Sequence, residues 1–73
     1  MRKQLKQARR GKGFSQQQMA NMLDITLRYY KKIEGGQAAG SISVWDALED
    51  LLGVNQRELR GLEEIHRDTI GNP

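Results

Sequence analysis

Seventy-three residues with a net charge of +3 and no cysteine allow one small domain, without a disulfide or a thiolate zinc site to support it. No apolar run approaches the roughly 20 residues that cross a bilayer. The basic start Met1-Arg2-Lys3-Gln4 lacks the apolar stretch of a signal peptide, so a soluble, cytoplasmic protein with no membrane association is expected. The charge is polarised. Residues 1–40 hold nine Lys or Arg against Asp24 and Glu34, a balance of +7, whereas residues 41–73 hold three against seven acids, a balance of −4. Such a split suits oriented docking on a polyanion, nucleic acid above all, although surface cations also serve solubility alone.

Helix signals dominate, and the one proline is the last residue. Leu5 and Ala8 mark a first helix within residues 2–10, ended by Gly11 and Gly13. Ser15 with Gln18 makes a capping box, and Phe14 and Met19 stand where its hydrophobic staple belongs. A second helix is therefore expected over residues 16–22. Leu23-Asp24-Ile25 reads as a tight turn, after which Thr26 caps a third helix over 27–34, stopped by Gly35-Gly36. A loop of small residues runs to Gly40. Ser41 or Ser43 opens a fourth helix, Ser43 with Asp46 as a second capping box. Its apolar stripe is Ile42, Trp45, Leu48 and Leu52, flanked by Val44, Ala47 and Leu51, and Gly53 closes it. Asn55, with Glu58 three residues on, starts a fifth helix carrying Leu59 and Leu62. The tail from Asp68 to Pro73 carries no structural demand. The expected class is all-α, a compact bundle of five short helices.

The informative segment is QQQMANMLDITLRYYKKIE, residues 16–34. Two helices meeting steeply across a three-residue turn need a small residue at the crossing, and Ala20 is there. The turn needs a residue that tolerates the left-handed region, which Asp24 does less readily than glycine. Met19, Leu23, Ile25, Tyr30 and Ile33 fill the inward positions. Leu27, Arg28, Tyr29, Lys31 and Lys32 are left on the outward side, with Arg28 and Lys32 four apart on one face.

These features resemble the lambda-repressor/Cro (XRE-type) helix-turn-helix family. The likeness runs from about Leu5 to Leu59 and includes the GFSQQQMA opening, the LDIT turn, the Ile33-Glu34-Gly35-Gly36 ending and Leu51-Leu52-Gly53-Val54 before the last helix. It implies a sequence-specific binder of double-stranded DNA, a small repressor-like transcriptional regulator docking as lambda repressor and Cro do. It implies a homodimer on an inverted-repeat operator, and no cofactor. By this likeness Gln16 clamps a phosphate and braces the recognition helix, with Gln17 beside it in the DNA-contacting set. Leu27, Arg28 and Lys32 fall where base edges are read, Tyr29 and Lys31 where phosphates are reached, and the backbone around Gly36 and Gln37 approaches the next phosphate. Residues 1–62 would form the DNA-binding domain and residues 63–73 an acidic, partly flexible tail. The chain departs from the family pattern at Asp24, at Tyr30, in a loop without basic residues or proline, and at Asp46 and Glu49, where apolar residues are usual.

Other readings are weaker. Met19, Met22 and Trp45 read as core rather than as a ligand pocket. Lys3, Lys6, Arg9 and Arg10 are either a wet helix face or auxiliary phosphate contacts. His66 with Glu63 and Glu64 is too sparse for a metal site, and the serines are caps rather than nucleophiles, so no enzyme is expected. Val44, Ala47, Leu51, Leu59, Leu62 and Ile65 suit either a dimer interface or a last helix folded over the fourth. The alternative function is a toxin-neutralising antitoxin, with the acidic tail holding a protein partner.

Overall fold

The structure is a computed structural model that describes residues 1–61. It has five helices among them: α1 (Lys3–Gly11), α2 (Gln16–Leu23), α3 (Leu27–Glu34), α4 (Ile42–Leu52) and α5 (Gln56–Arg60). The all-α expectation and the element order hold. The expected acidic tail, Leu62, Ile65 and His66 lie outside the described residues.

Each helix after the first begins where a side chain can accept one of its orphan amides. The Ser15 hydroxyl accepts from the Gln18 amide at 3.0 Å while Gln18 Oε1 accepts from the Ser15 amide at 2.8 Å, so both halves of the capping box form. Thr26 Oγ1 takes the Tyr29 amide at 3.1 Å. The fourth helix is capped by Ser41 through the Val44 amide, not by Ser43, whose hydroxyl instead lies 3.1 Å from that of Ser41. Asn55 Oδ1 accepts from the Arg57 amide, one residue earlier than a box with Glu58 requires.

One core joins all five helices. Leu5, Met19, Ala20, Tyr30, Ile33, Val44, Trp45, Leu48, Leu52 and Leu59 are buried together, with Phe14, Leu23, Ile25, Leu27, Tyr29 and Leu51 packed around them. Burial of Val44 and Leu59 fits the reading in which the last helix folds over the fourth. Two expected core residues are not there. Ile42 is 79% exposed and Met22 is 42% exposed. Ile42 is the first residue after the Ser41 cap, and the buried stripe of α4 runs instead through Val44, Trp45, Leu48 and Leu52. On α2 the buried pair is Met19 and Ala20, which turns Met22 off the core face.

The acids of α4 that depart from the family pattern are used locally. Gln56 Nε2 donates to Asp46 Oδ1 at 2.8 Å and to Glu49 Oε1 at 3.3 Å, while the Gln56 amide donates to Glu49 Oε2 at 3.3 Å. These bonds pin the start of α5 to α4.

Candidate nucleic-acid interface

The turn between α2 and α3 is built on Asp24. It is the only non-glycine residue with positive φ among the described residues, at 58°, and its left-handed backbone closes α2. The chain reverses there, the Ile25 amide bonds to the Ala20 carbonyl at 3.0 Å, and fully buried Ala20 lets α3 cross close by. One side of α3 then goes inward through Tyr30 and Ile33, and the other carries exposed Arg28, Lys31 and Lys32.

Five of the eight predicted site residues surround one open depression: Leu27, Arg28, Lys31, Lys32 and Gln37. Leu27 is half-buried against the core and supplies its apolar floor. No carboxylate stands within ion-pair distance of Arg28, Lys31 or Lys32 among the described residues. Gln16, Gln17 and Tyr29 are not on this rim. Gln17 is exposed and donates to Asn21 Oδ1 at 2.9 Å, and Tyr29 is half-buried against the core. The backbone amides of Gly36, Gln37 and Ala38 all turn onto carbonyls of Lys32 and Ile33, ending α3. What Gln37 offers outward is therefore its exposed side chain.

Beneath this face lies a buried polar network. Arg9 is only 7% exposed and Glu34 only 2%. Arg9 Nε and a terminal nitrogen donate to Glu34 Oε2 and Oε1 at 2.8 and 3.0 Å, a bidentate pair. Tyr30 donates its hydroxyl proton to Glu34 Oε2 at 2.6 Å, and Gln16 Nε2 donates to Glu34 Oε1 at 3.3 Å. The other terminal nitrogen of Arg9 caps the Phe14 carbonyl at 2.7 Å. Burial alone would push the Glu34 carboxyl up, but donation from Arg9, Tyr30 and Gln16 outweighs it and holds the group below its usual range. The bond to Glu34 raises Arg9 despite its burial. Burial, and then donation to Glu34, raises Tyr30. All three stay in the protonation states the network needs at neutral pH.

Arg9 is thus no phosphate contact on a wet face; its charge is internally matched. Sequence reasoning passed over the Arg9–Glu34 pair, although Arg9 stands one turn after Leu5 and Glu34 one turn after Tyr30, both on core stripes. Arg2 was passed over as well. Its amide donates to the Glu34 carbonyl at 2.8 Å, and its guanidinium donates to the carbonyls of Ile33 and Ala38. That guanidinium lies 5.1 Å from the centre of the Trp45 ring, and Arg60 lies 5.5 Å from it. The end of α3 is therefore held from both α1 and α2.

Residues 3–59 match the helix-turn-helix domain family over most of the chain. The chain belongs to that family, as an XRE-like member. It is also similar to the SPbeta prophage-derived uncharacterized HTH-type transcriptional regulator YonR of Bacillus subtilis (strain 168), 43% identical over 51 residues, 70% of this chain. The match spans about half, 47%, of that relative's length. No solved structure gives a significant match. As a helix-turn-helix domain, the chain has α2 and α3 as the two helices of its motif, joined by the turn at Asp24. The family departures find local explanations: Asp24 takes the left-handed turn, and the Tyr30 hydroxyl completes the Glu34 network.

Proposed function

We propose that this chain binds double-stranded DNA sequence-specifically, with α3 in the major groove, as a small repressor-like regulator of transcription. The observation that carries the reading is the exposed face of α3, where Arg28, Lys31 and Lys32 surround an apolar floor at Leu27 without a carboxylate partner among the described residues. A helix fits the major groove of B-DNA, and its base edges present the acceptors and methyl groups these side chains suit. Arg28 bonds the O6 and N7 of a guanine, Lys32 reaches a neighbouring guanine, and Leu27 lies against a thymine methyl. Lys31, Tyr29, Gln17 and Gln37 serve the phosphates. Gln16, already bonded to Glu34, ties a phosphate contact to the end of the recognition helix.

The docking geometry is that of lambda repressor and Cro, carried over to this chain by family likeness. On that geometry two copies bind an inverted repeat with half-sites about one helical turn apart. The name of the prophage relative, an HTH-type transcriptional regulator, supports a role in transcription regulation. The antitoxin alternative rests on residues 63–73, outside the described residues, and no described feature favours it.

Selection from a pool of random duplexes at near-physiological salt tests the reading. Enrichment of an inverted repeat is expected, and Arg28→Ala should then cost on the order of 1–3 kcal/mol and relax preference at one base position per half-site. Recovery of no motif would overturn it.

A further inference from the structure

The described residues contain a second cationic surface that the α3 reading does not use. Met1, Lys3, Lys6, Gln7 and Arg10 line a depression along α1. Lys3, Gln7 and Arg10 are exposed and Lys6 is half-buried, on the side of α1 away from buried Leu5 and Arg9. No carboxylate lies within ion-pair distance of these cations among the described residues. Arg9 next to them shows the contrast, since it has a buried acid of its own. The surface is also continuous with the face of α3. The Met1 backbone nitrogen lies 3.4 Å from the position a side chain would take at Gly36, and the next residue, Gln37, closes the α3 depression. The Arg2 amide on the Glu34 carbonyl fixes this junction.

We propose that this face of α1 holds the phosphate backbone of the duplex that α3 reads, at phosphates beyond those α3 reaches. The inference rests on the DNA-binding reading above. Lys3 and Arg10 stand seven residues apart, about 10 Å along a helix. A duplex presents about six charges over that length, so three cations have phosphates within reach of their long side chains. Phosphate contacts position a protein on DNA and carry no sequence information. The α1 face therefore sets affinity and orientation, and α3 sets sequence.

The test compares the full chain with the variant Lys3→Gln/Lys6→Gln/Arg10→Gln by fluorescence anisotropy between 50 and 200 mM salt. The probes are a labelled 40-base-pair mixed-sequence duplex and the duplex recovered by selection. Loss of three phosphate contacts reduces the slope of log affinity against log salt by about 2.7. Over that fourfold change in salt the unmodified protein should lose about forty-fold more affinity than the variant. Both should prefer the same sequence, and the charge-preserving variant Lys3→Arg/Lys6→Arg/Arg10→Lys should keep the original slope. If half-buried Lys6 proves necessary for folding, Lys3→Gln/Arg10→Gln should still remove about two-thirds of the effect. Equal slopes in the unmodified protein and the glutamine variant would overturn the α1 proposal and leave the α3 reading standing. Failure of the unmodified protein to bind either duplex would overturn both.

Discussion

Glu34 meets Arg9, Tyr30 and Gln16 from three helices, which makes it the residue on which the recognition helix turns. A carboxylate 2% exposed is tolerated only because its hydrogen bonds are made. Among the described residues no buried side-chain polar atom lacks a partner. Arg9→Met would leave that carboxylate without its counter-charge, and breaking such a pair from one side costs about 3–5 kcal/mol. For a domain this small that is a large share of the total, so urea denaturation should show a sharply lowered midpoint or no folded baseline. The double variant Arg9→Met/Glu34→Gln should recover much of the loss, because no unpaired charge remains. The pH dependence has a definite sign. Glu34 is held below its unfolded value of about 4.3, so its stabilisation is complete above that pH and is lost as pH falls through the depressed folded value. Between pH 5 and pH 3 the urea midpoint of the unmodified protein should drop further than that of the double variant. Equal drops would show that Glu34 does not govern acid stability.

At the scale of elements, capping chemistry makes the helices legible in the sequence itself. Ser15, Thr26 and Asn55 start their helices at the expected positions, and α3 occupies the expected residues Leu27–Glu34. Local hydrogen bonding decides such boundaries, and local sequence carries it. What could not be read was tertiary: that Arg9 and Glu34 face each other across 25 residues, or that Ile42 projects from the first turn of α4 with nothing over it among the described residues. The site split the same way. The outward residues of α3 followed from helical spacing, whereas Tyr29 against the core and the inward turn of the loop amides depended on packing. Two turns give opposite predictions. Asp24 holds φ 58° at the end of α2, where its backbone is strained and its charge opposes the helix dipole. Asp24→Gly should raise stability by about 0.5–1 kcal/mol, or roughly 2–8 °C in Tm by calorimetry. Gly40 also has positive φ, at 78°, but a Cβ there would stand 2.7 Å from Trp45 Nε1. That nitrogen donates to the Ala39 carbonyl at 2.7 Å, so the indole cannot retreat without losing the bond. Gly40→Ala should therefore lower stability by about 2 kcal/mol or more, read in the same calorimeter.

Across the described residues the decisive feature is that no helix has a core of its own. Leu5 comes from α1, Met19 and Ala20 from α2, Tyr30 and Ile33 from α3, Trp45 and Leu48 from α4, and Leu59 from α5, all in one cluster. Helices of 5 to 11 residues are too short to persist alone in water. Removing any one of them uncovers apolar surface on the others, so the described part of the chain should unfold as a unit. Trp45, 1% exposed with the guanidiniums of Arg2 and Arg60 within 5.5 Å of its ring centre, is the single tryptophan and reports that core directly. Its emission should change over the same urea range as far-UV circular dichroism, with coincident midpoints. Arg2→Ala is the sharper form of the test. It removes one of the two guanidinium contacts to the indole and the bonds to the Ile33 and Ala38 carbonyls, so stability should fall by about 1–3 kcal/mol. Yet both probes should still shift together. An emission midpoint that moved alone would show that the loop and the end of α3 come loose before the bundle does, and the single-unit picture would have to be given up.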